Sequence, residues 1–168
     1  MALSQNQAMT VKPILFFGYG NPSRGDDAIG PHMIEALLRD KRFFPYHHQF
    51  DAFTDFQLQI EHTIDIHQRV QVIFIDAEAG LSKDYYYRKI SAHVDSSYST
   101  HSMSPQSLLQ VYRDVYAMTE PDTFMLTVTA RQFELGASLS QVSLNGIDAA
   151  LEYIEQLLSG YNNRCDHP

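Results

Sequence analysis

Cysteine is nearly absent from this chain of 168 residues: Cys165 stands alone, close to the C-terminal end. That excludes a disulfide framework, a cysteine-based zinc site and a convincing thiol nucleophile, and it fits a reducing compartment. Basic residues are scarce as well. Lysine and arginine number 12 against 20 aspartates and glutamates, a formal charge of -8, with a pI near 5.3. Such a balance argues against a nucleic-acid groove or an anionic membrane surface, and no basic run offsets it. Also missing is any uncharged apolar stretch long enough to span a bilayer, and residues 1–9 have neither the basic start nor the apolar core of a signal peptide. The expectation is a soluble cytoplasmic monomer with frayed tails at residues 1–10 and 161–168.

Several catalytic signatures are absent too. There is no His-Glu-x-x-His helix, no Gly-x-Ser-x-Gly elbow and no P-loop lysine. Glu61-His62 with His67 has the wrong spacing for a zinc helix and reads as a solvated face. His47-His48, neighbours that would point apart in a strand, read as solvated histidines.

With 44% hydrophobic residues the chain can bury a substantial core, and its length predicts a single domain over residues 1–168. Residues 11–17 form a short apolar run that reads as a buried strand. Ile29, Met33, Ala36 and Leu37 then recur at helical spacing, up to an end near Asp40-Lys41. A second strand is expected over residues 48–53, and a second helix over 54–68 from the spacing of Phe56, Ile60, Ile64 and Ile66. The β-branched run over 70–75, ending at Asp76, has the near-continuous apolarity of a central parallel strand. Residues 85–90 read as an antiparallel edge strand, and 91–100 as a polar crossing that returns His101 to the same edge as Asp76. Ser104-Pro105 opens another helix, residues 123–129 form the last strand, and Ile147, Leu151, Ile154 and Leu158 mark a final helix that stops at Gly160. The fold class that follows is a three-layer α/β/α sandwich around a mostly parallel, roughly five-stranded twisted sheet with an antiparallel edge.

The chemical centre is the loop of residues 17–30, FGYGNPSRGDDAIG, placed between the first strand and the first helix. Asp26 or Asp27 falls where a helix N-cap belongs. A phosphate cradle is the competing reading, and it is weak: two carboxylates at the helix mouth repel an anion and attract a cation. Arg24 reads as a balancing charge for the pair. In a doubly wound sheet ligands collect beyond the carboxyl ends of the strands. Asp27 (or Asp26), Asp76 and His101 are all expected at that edge. Two carboxylates and an imidazole suit nickel, zinc, cobalt or iron, with coordination positions left open.

The loop, followed by Ile75-Asp76-Ala77 and then by Thr100-His101 ahead of a helix, resembles the nickel-iron hydrogenase maturation endopeptidases. The likeness covers most of the chain, including Gln57-Leu58 and Leu139-Ser140 before the last helix. It implies a cytoplasmic protease that removes the C-terminal extension of a hydrogenase large-subunit precursor after nickel insertion. Asp27, Asp76 and His101 would be both the catalytic residues and the metal contacts, the nickel being supplied by the precursor, with no organic cofactor. Tyr19 stands where the family commonly has a small or aliphatic residue, Phe53-Thr54 where many relatives have a glycine-rich turn, and Gln132 where a proline region is frequent. The alternatives are a nickel-dependent assembly chaperone that inspects the same precursor without cutting it, or a small-molecule-binding α/β module.

Overall fold

The computed structural model describes residues 11–93 and 103–165. Five strands form one sheet in the order β2-β1-β3-β5-β4, from β1 (Ile14–Tyr19), β2 (Phe50–Asp55), β3 (Gln71–Ala79), β4 (Tyr85–Ile90) and β5 (Asp122–Ala130). The first three pairings are parallel and β4 runs antiparallel to β5, as expected. Alternation along the strands divides the core into two layers. Ile14, Phe16, Ile73, Ile75, Leu126 and Val128 pack on one face beneath α1 (Ile29–Arg39) and α4 (Gln141–Cys165). Leu15, Phe17, Val72, Phe74 and Met125 pack on the other beneath the one-turn α2 (Thr63–Ile66) and α3 (Pro105–Tyr116). No described helix is long and apolar enough to cross a membrane.

Three expectations need correction. The helix over 54–68 is reduced to a 3-10 turn, Ile60–His62, and the single turn of α2. Thr54 and Asp55 are claimed by β2, where they pair with Gly18 and Tyr19. Phe56, Ile60 and Ile64 stay 62%, 55% and 70% exposed, so the stripe that suggested a helix has no layer to bury it. The last helix does not stop at Gly160 but runs on to Cys165, because Leu157 and Tyr161 continue to pack on the α1/α4 core. That contact offsets the ~1 kcal/mol that an internal glycine costs a helix. Finally, Asp76 does not end its strand: β3 continues beside β5 to Ala79. What ends next to Asp76 is β1, whose pairing with β3 stops at Gly18 and Ile75.

The histidine readings change too. His47 Nε2 lies 2.9 Å from the Leu37 carbonyl, whereas His48 is exposed. His62 accepts from the Gln59 amide through Nδ1 at 3.0 Å and presents Nε2 to Asp55 at 3.3 Å, a tautomer set by its two partners. His67 stacks on Tyr116.

Candidate functional site

The chain reverses its direction of travel across the sheet between β1 and β3: one connection leads outward to β2, the next returns past β1. At this switch point the two strands diverge at their carboxyl ends and leave a crevice. The loop after β1 and residue Asp76 on β3 meet there.

Close approach of backbone explains the glycines of the loop. A Cβ on Gly18 would lie 2.4 Å from the Gly30 carbonyl oxygen, and one on Gly30 would lie 2.4 Å from that of Tyr19. The start of α1 is therefore seated directly on the end of β1. These glycines pack against each other, which argues against a backbone phosphate cradle. Gly20 has φ +136°, and its Cβ would fall 2.0 Å from the Asp27 carbonyl oxygen. Gly20→Ala is expected to cost about 3 kcal/mol of stability, since backbone rather than a flexible side chain must move; a urea melt showing less than ~1 kcal/mol of loss would contradict this contact.

The adjacent acids have separate tasks. Asp26 is fully buried, and its carboxylate accepts the amides of Arg131, Gln132 and Ser140 at 2.7, 3.0 and 2.7 Å and the Ser140 hydroxyl at 2.9 Å. Burial by itself would raise its pKa. The hydrogen bonds from Ser140, Arg131 and Gln132 outweigh that and hold it below the usual carboxylate value. Ser140 in turn accepts the Ser143 amide at the start of α4, so Asp26 ties the first loop to the loop between β5 and α4. Neither aspartate makes the expected side-chain cap. Both lie in a 3-10 turn, Gly25–Ala28, that leads into α1. Arg24 does not balance them either, but donates Nε to the Phe133 carbonyl at 3.3 Å.

Asp27 is half-buried, and one oxygen accepts the Asn21 amide at 2.9 Å. Asp76, also half-buried, lines one groove with Tyr19 and accepts the Ala77 amide at 2.7 Å. Its pKa is raised to about 6, first by burial and then by the charges of Asp27 and Glu78, against the lowering effect of its hydrogen bonds. Asp27 and Asp76 are thus close enough to feel each other's charge. A site that disfavours two carboxylates together favours a cation between them.

Asp76 faces the α3 side of the sheet, in a groove of about 300 Å³ lined by Tyr19, Leu58, Arg88, Met103 and Ser104 among others. Ser104 caps α3 there, its hydroxyl accepting the Ser107 amide at 3.1 Å. Across the ladder Asp76 is paired with Thr127, a buried residue whose hydroxyl has no partner among the described residues. His101 lies outside the described residues, as does most of the expected polar crossing; among the described residues no group of three or more acidic, histidine or cysteine side chains could hold a metal ion. Sequence reasoning missed two residues. Asp26 was offered as a cap or an alternate ligand and is a buried clamp, while Tyr19 entered only as a departure from the family pattern and lines the groove beside Asp76.

No protein-family model matches the chain. A curated protein of Methanocaldococcus jannaschii described as "Putative hydrogenase maturation protease" is 26% identical over 164 residues, spanning 87% of this chain and 90% of that protein. Among solved structures, the hydrogenase maturating endopeptidase HybD from E. coli matches with a TM-score of 0.67 at 20% identity, over 88% of this chain and 93% of that one. The [NiFe] hydrogenase maturation protease HycI from Thermococcus kodakarensis matches with a TM-score of 0.65 at 16% identity, over 90% and 95%. The strand order, the layers and the position of the switch point are therefore those of a known architecture, and the chain has the fold of the hydrogenase maturation endopeptidases.

Proposed function

We propose that this chain is an endopeptidase that removes the C-terminal extension of a nickel-iron hydrogenase large-subunit precursor once nickel is in place. The observation that carries the reading is the pair at the switch point: Asp76 on β3, open to the groove, and Asp27 in the 3-10 turn before α1, whose charge is felt at Asp76. The names of the relatives and of the structural neighbours support the same reading.

In this reading the nickel ion is part of the substrate. Asp27 and Asp76 supply hard oxygen donors and His101, two positions before the groove-lining Met103, an imidazole, a set suited to a divalent transition metal. Such an ion can polarise a scissile carbonyl or acidify a bound water, so no serine or cysteine nucleophile is required. The chain's own part is to hold the precursor's extension in the groove beside Asp76. The Asn21 amide fixes one Asp27 oxygen, and the Ala77 amide fixes one of Asp76.

Incubation with nickel-loaded precursor tests the proposal. The expected outcome is a mobility shift with the wild-type protein and a loss of processing of about 100-fold or more in each of Asp27→Ala, Asp76→Ala and His101→Ala. Binding of the precursor without any shift would instead identify an assembly chaperone. Folded variants that still process at the wild-type rate would overturn the assignment of the three residues.

A further inference from the structure

Among the described residues that line the Asp76 groove, the other charged side chain is Arg88 of β4. The register puts both on the α3 side of the sheet. Arg88 pairs with Met125, which packs in that layer, and Asp76 pairs with Thr127, two residues further along the same strand. Arg88 is exposed, and its Nη1 donates to Glu78 Oε2 at 3.4 Å. Since Glu78 pairs with Thr129, this contact runs diagonally across β5 and passes over Thr127. Thr127 is 2% exposed, and its hydroxyl has no partner among the described residues. We propose that Arg88 is a specificity-determining residue whose guanidinium leaves Glu78 to receive a carboxylate of the precursor's C-terminal extension. The inference deepens the endopeptidase reading above and rests on it.

A guanidinium carries its N–H donors in a rigid fork that matches a carboxylate two bonds at a time. The contact with Glu78 engages one nitrogen, at the long end of the hydrogen-bond range, between side chains that are 52% and 39% exposed. Exposed ion pairs of this kind are held weakly. A carboxylate that engages two nitrogens together can therefore replace Glu78, and the charge balance at Arg88 is unchanged. The same exchange opens the cover over Thr127. Its hydroxyl, buried without a partner, then gains one in the bound peptide. The groove wall is otherwise apolar or neutral, with Leu58, Met103 and Met125 in it. Opposite charges at Asp76 and Arg88 thus orient a bound segment, with a cation beside the first and an anion beside the second. A basic side chain at the second place would be repelled, which is how such a residue selects.

The test compares wild-type protein with Arg88→Gln and Arg88→Lys, using nickel-loaded precursor for kinetics, thermal melts for folding and NMR titration with three peptides. The peptides are an acetylated alanine pentamer with a central glutamate and an amidated end, the same peptide with a central glutamine, and the glutamine peptide with a free C-terminal carboxylate. The three proteins are expected to melt alike, because the Arg88 pair is exposed. Wild type should bind at least one acidic peptide about tenfold more tightly than the neutral one, Arg88→Gln should bind all three equally, and Arg88→Lys should fall between. Tighter binding of the glutamate peptide assigns the carboxylate to a side chain, and tighter binding of the free acid assigns it to the end of the chain. With the precursor, Arg88→Gln should raise KM about tenfold with kcat changed much less. Equal KM in wild type and Arg88→Gln overturns the inference. So does a preference for acid that survives in Arg88→Gln, or a wild type that binds no peptide or all three alike. Should the wild type fail to process the precursor, the endopeptidase reading falls and the peptide titrations alone decide the role of Arg88.

Discussion

Asp76→Asn is expected to abolish precursor processing and, at pH 8, to make the folded protein more stable than the wild type. The two effects share one cause. In the folded state the Asp76 carboxyl titrates near 6, against an ordinary value of 3.8, chiefly because it is buried and then because Asp27 and Glu78 lie close. The folded protein therefore holds this proton more tightly than the unfolded chain does. Above about pH 6 the ionised group is a full penalty on folding, at most about 3 kcal/mol for a gap of this size. The penalty is relieved as pH falls through 6 and is gone below the unfolded value. Asparagine keeps the acceptor for the Ala77 amide without the charge and should recover about 2 kcal/mol at pH 8, with little gain at pH 4. Denaturant unfolding at the two pH values measures this. An asparagine variant less stable than wild type at pH 8 would contradict the strained carboxylate. The same protonation competes with a cation, so nickel binding is expected to weaken as pH falls below about 6. Stability given up at one residue is a familiar cost of a working site.

The neighbouring acid behaves oppositely. Asp26→Ala is expected to lose about 4 kcal/mol or more, because it leaves the amides of Arg131, Gln132 and Ser140 buried without an acceptor. Its folded pKa is depressed, so its contribution is complete above the ordinary aspartate value and is lost as pH falls through the lower folded value. Stability curves should thus separate the pair: the Asp26→Ala deficit shrinks only in strong acid, whereas the Asp76→Asn gain disappears between pH 6 and 4. A deficit below ~1 kcal/mol for Asp26→Ala at pH 7 would show that water replaces the carboxylate, and that the link between the two loops is weaker than its geometry indicates.

Much of this was legible because local pattern and tertiary demand agree. The apolar run over 70–75 is central because both layers of the core cover it, and the charged run of β4 lies at the edge where arginine and lysine reach solvent. Ser104 and Pro105 open α3 as their chemistry requires. Where the reading failed, periodicity had no surface to act on. Phe56, Ile60 and Ile64 keep helical spacing yet face away from the core, since pairing with β1 carries the chain past the position where a helix would start. Gly160 was taken as a stop because glycine ends many helices, but a terminator acts only where packing has run out, and Tyr161 still packs.

The order of amino acids by itself determined the class of the fold. Alternating β-branched and amphipathic segments admit few arrangements other than a layered parallel sheet, and paired acids without a nucleophile or basic surface point to a cation. It could not divide the work between Asp26 and Asp27, adjacent residues of identical type. That division is decided by what faces each one: amides brought from more than 100 positions away close around Asp26, while Asp27 is left beside Asp76. Nor could it bring Tyr19 and Asp76 to one groove, because which strands are neighbours depends on sheet order, which is settled only when the whole core packs.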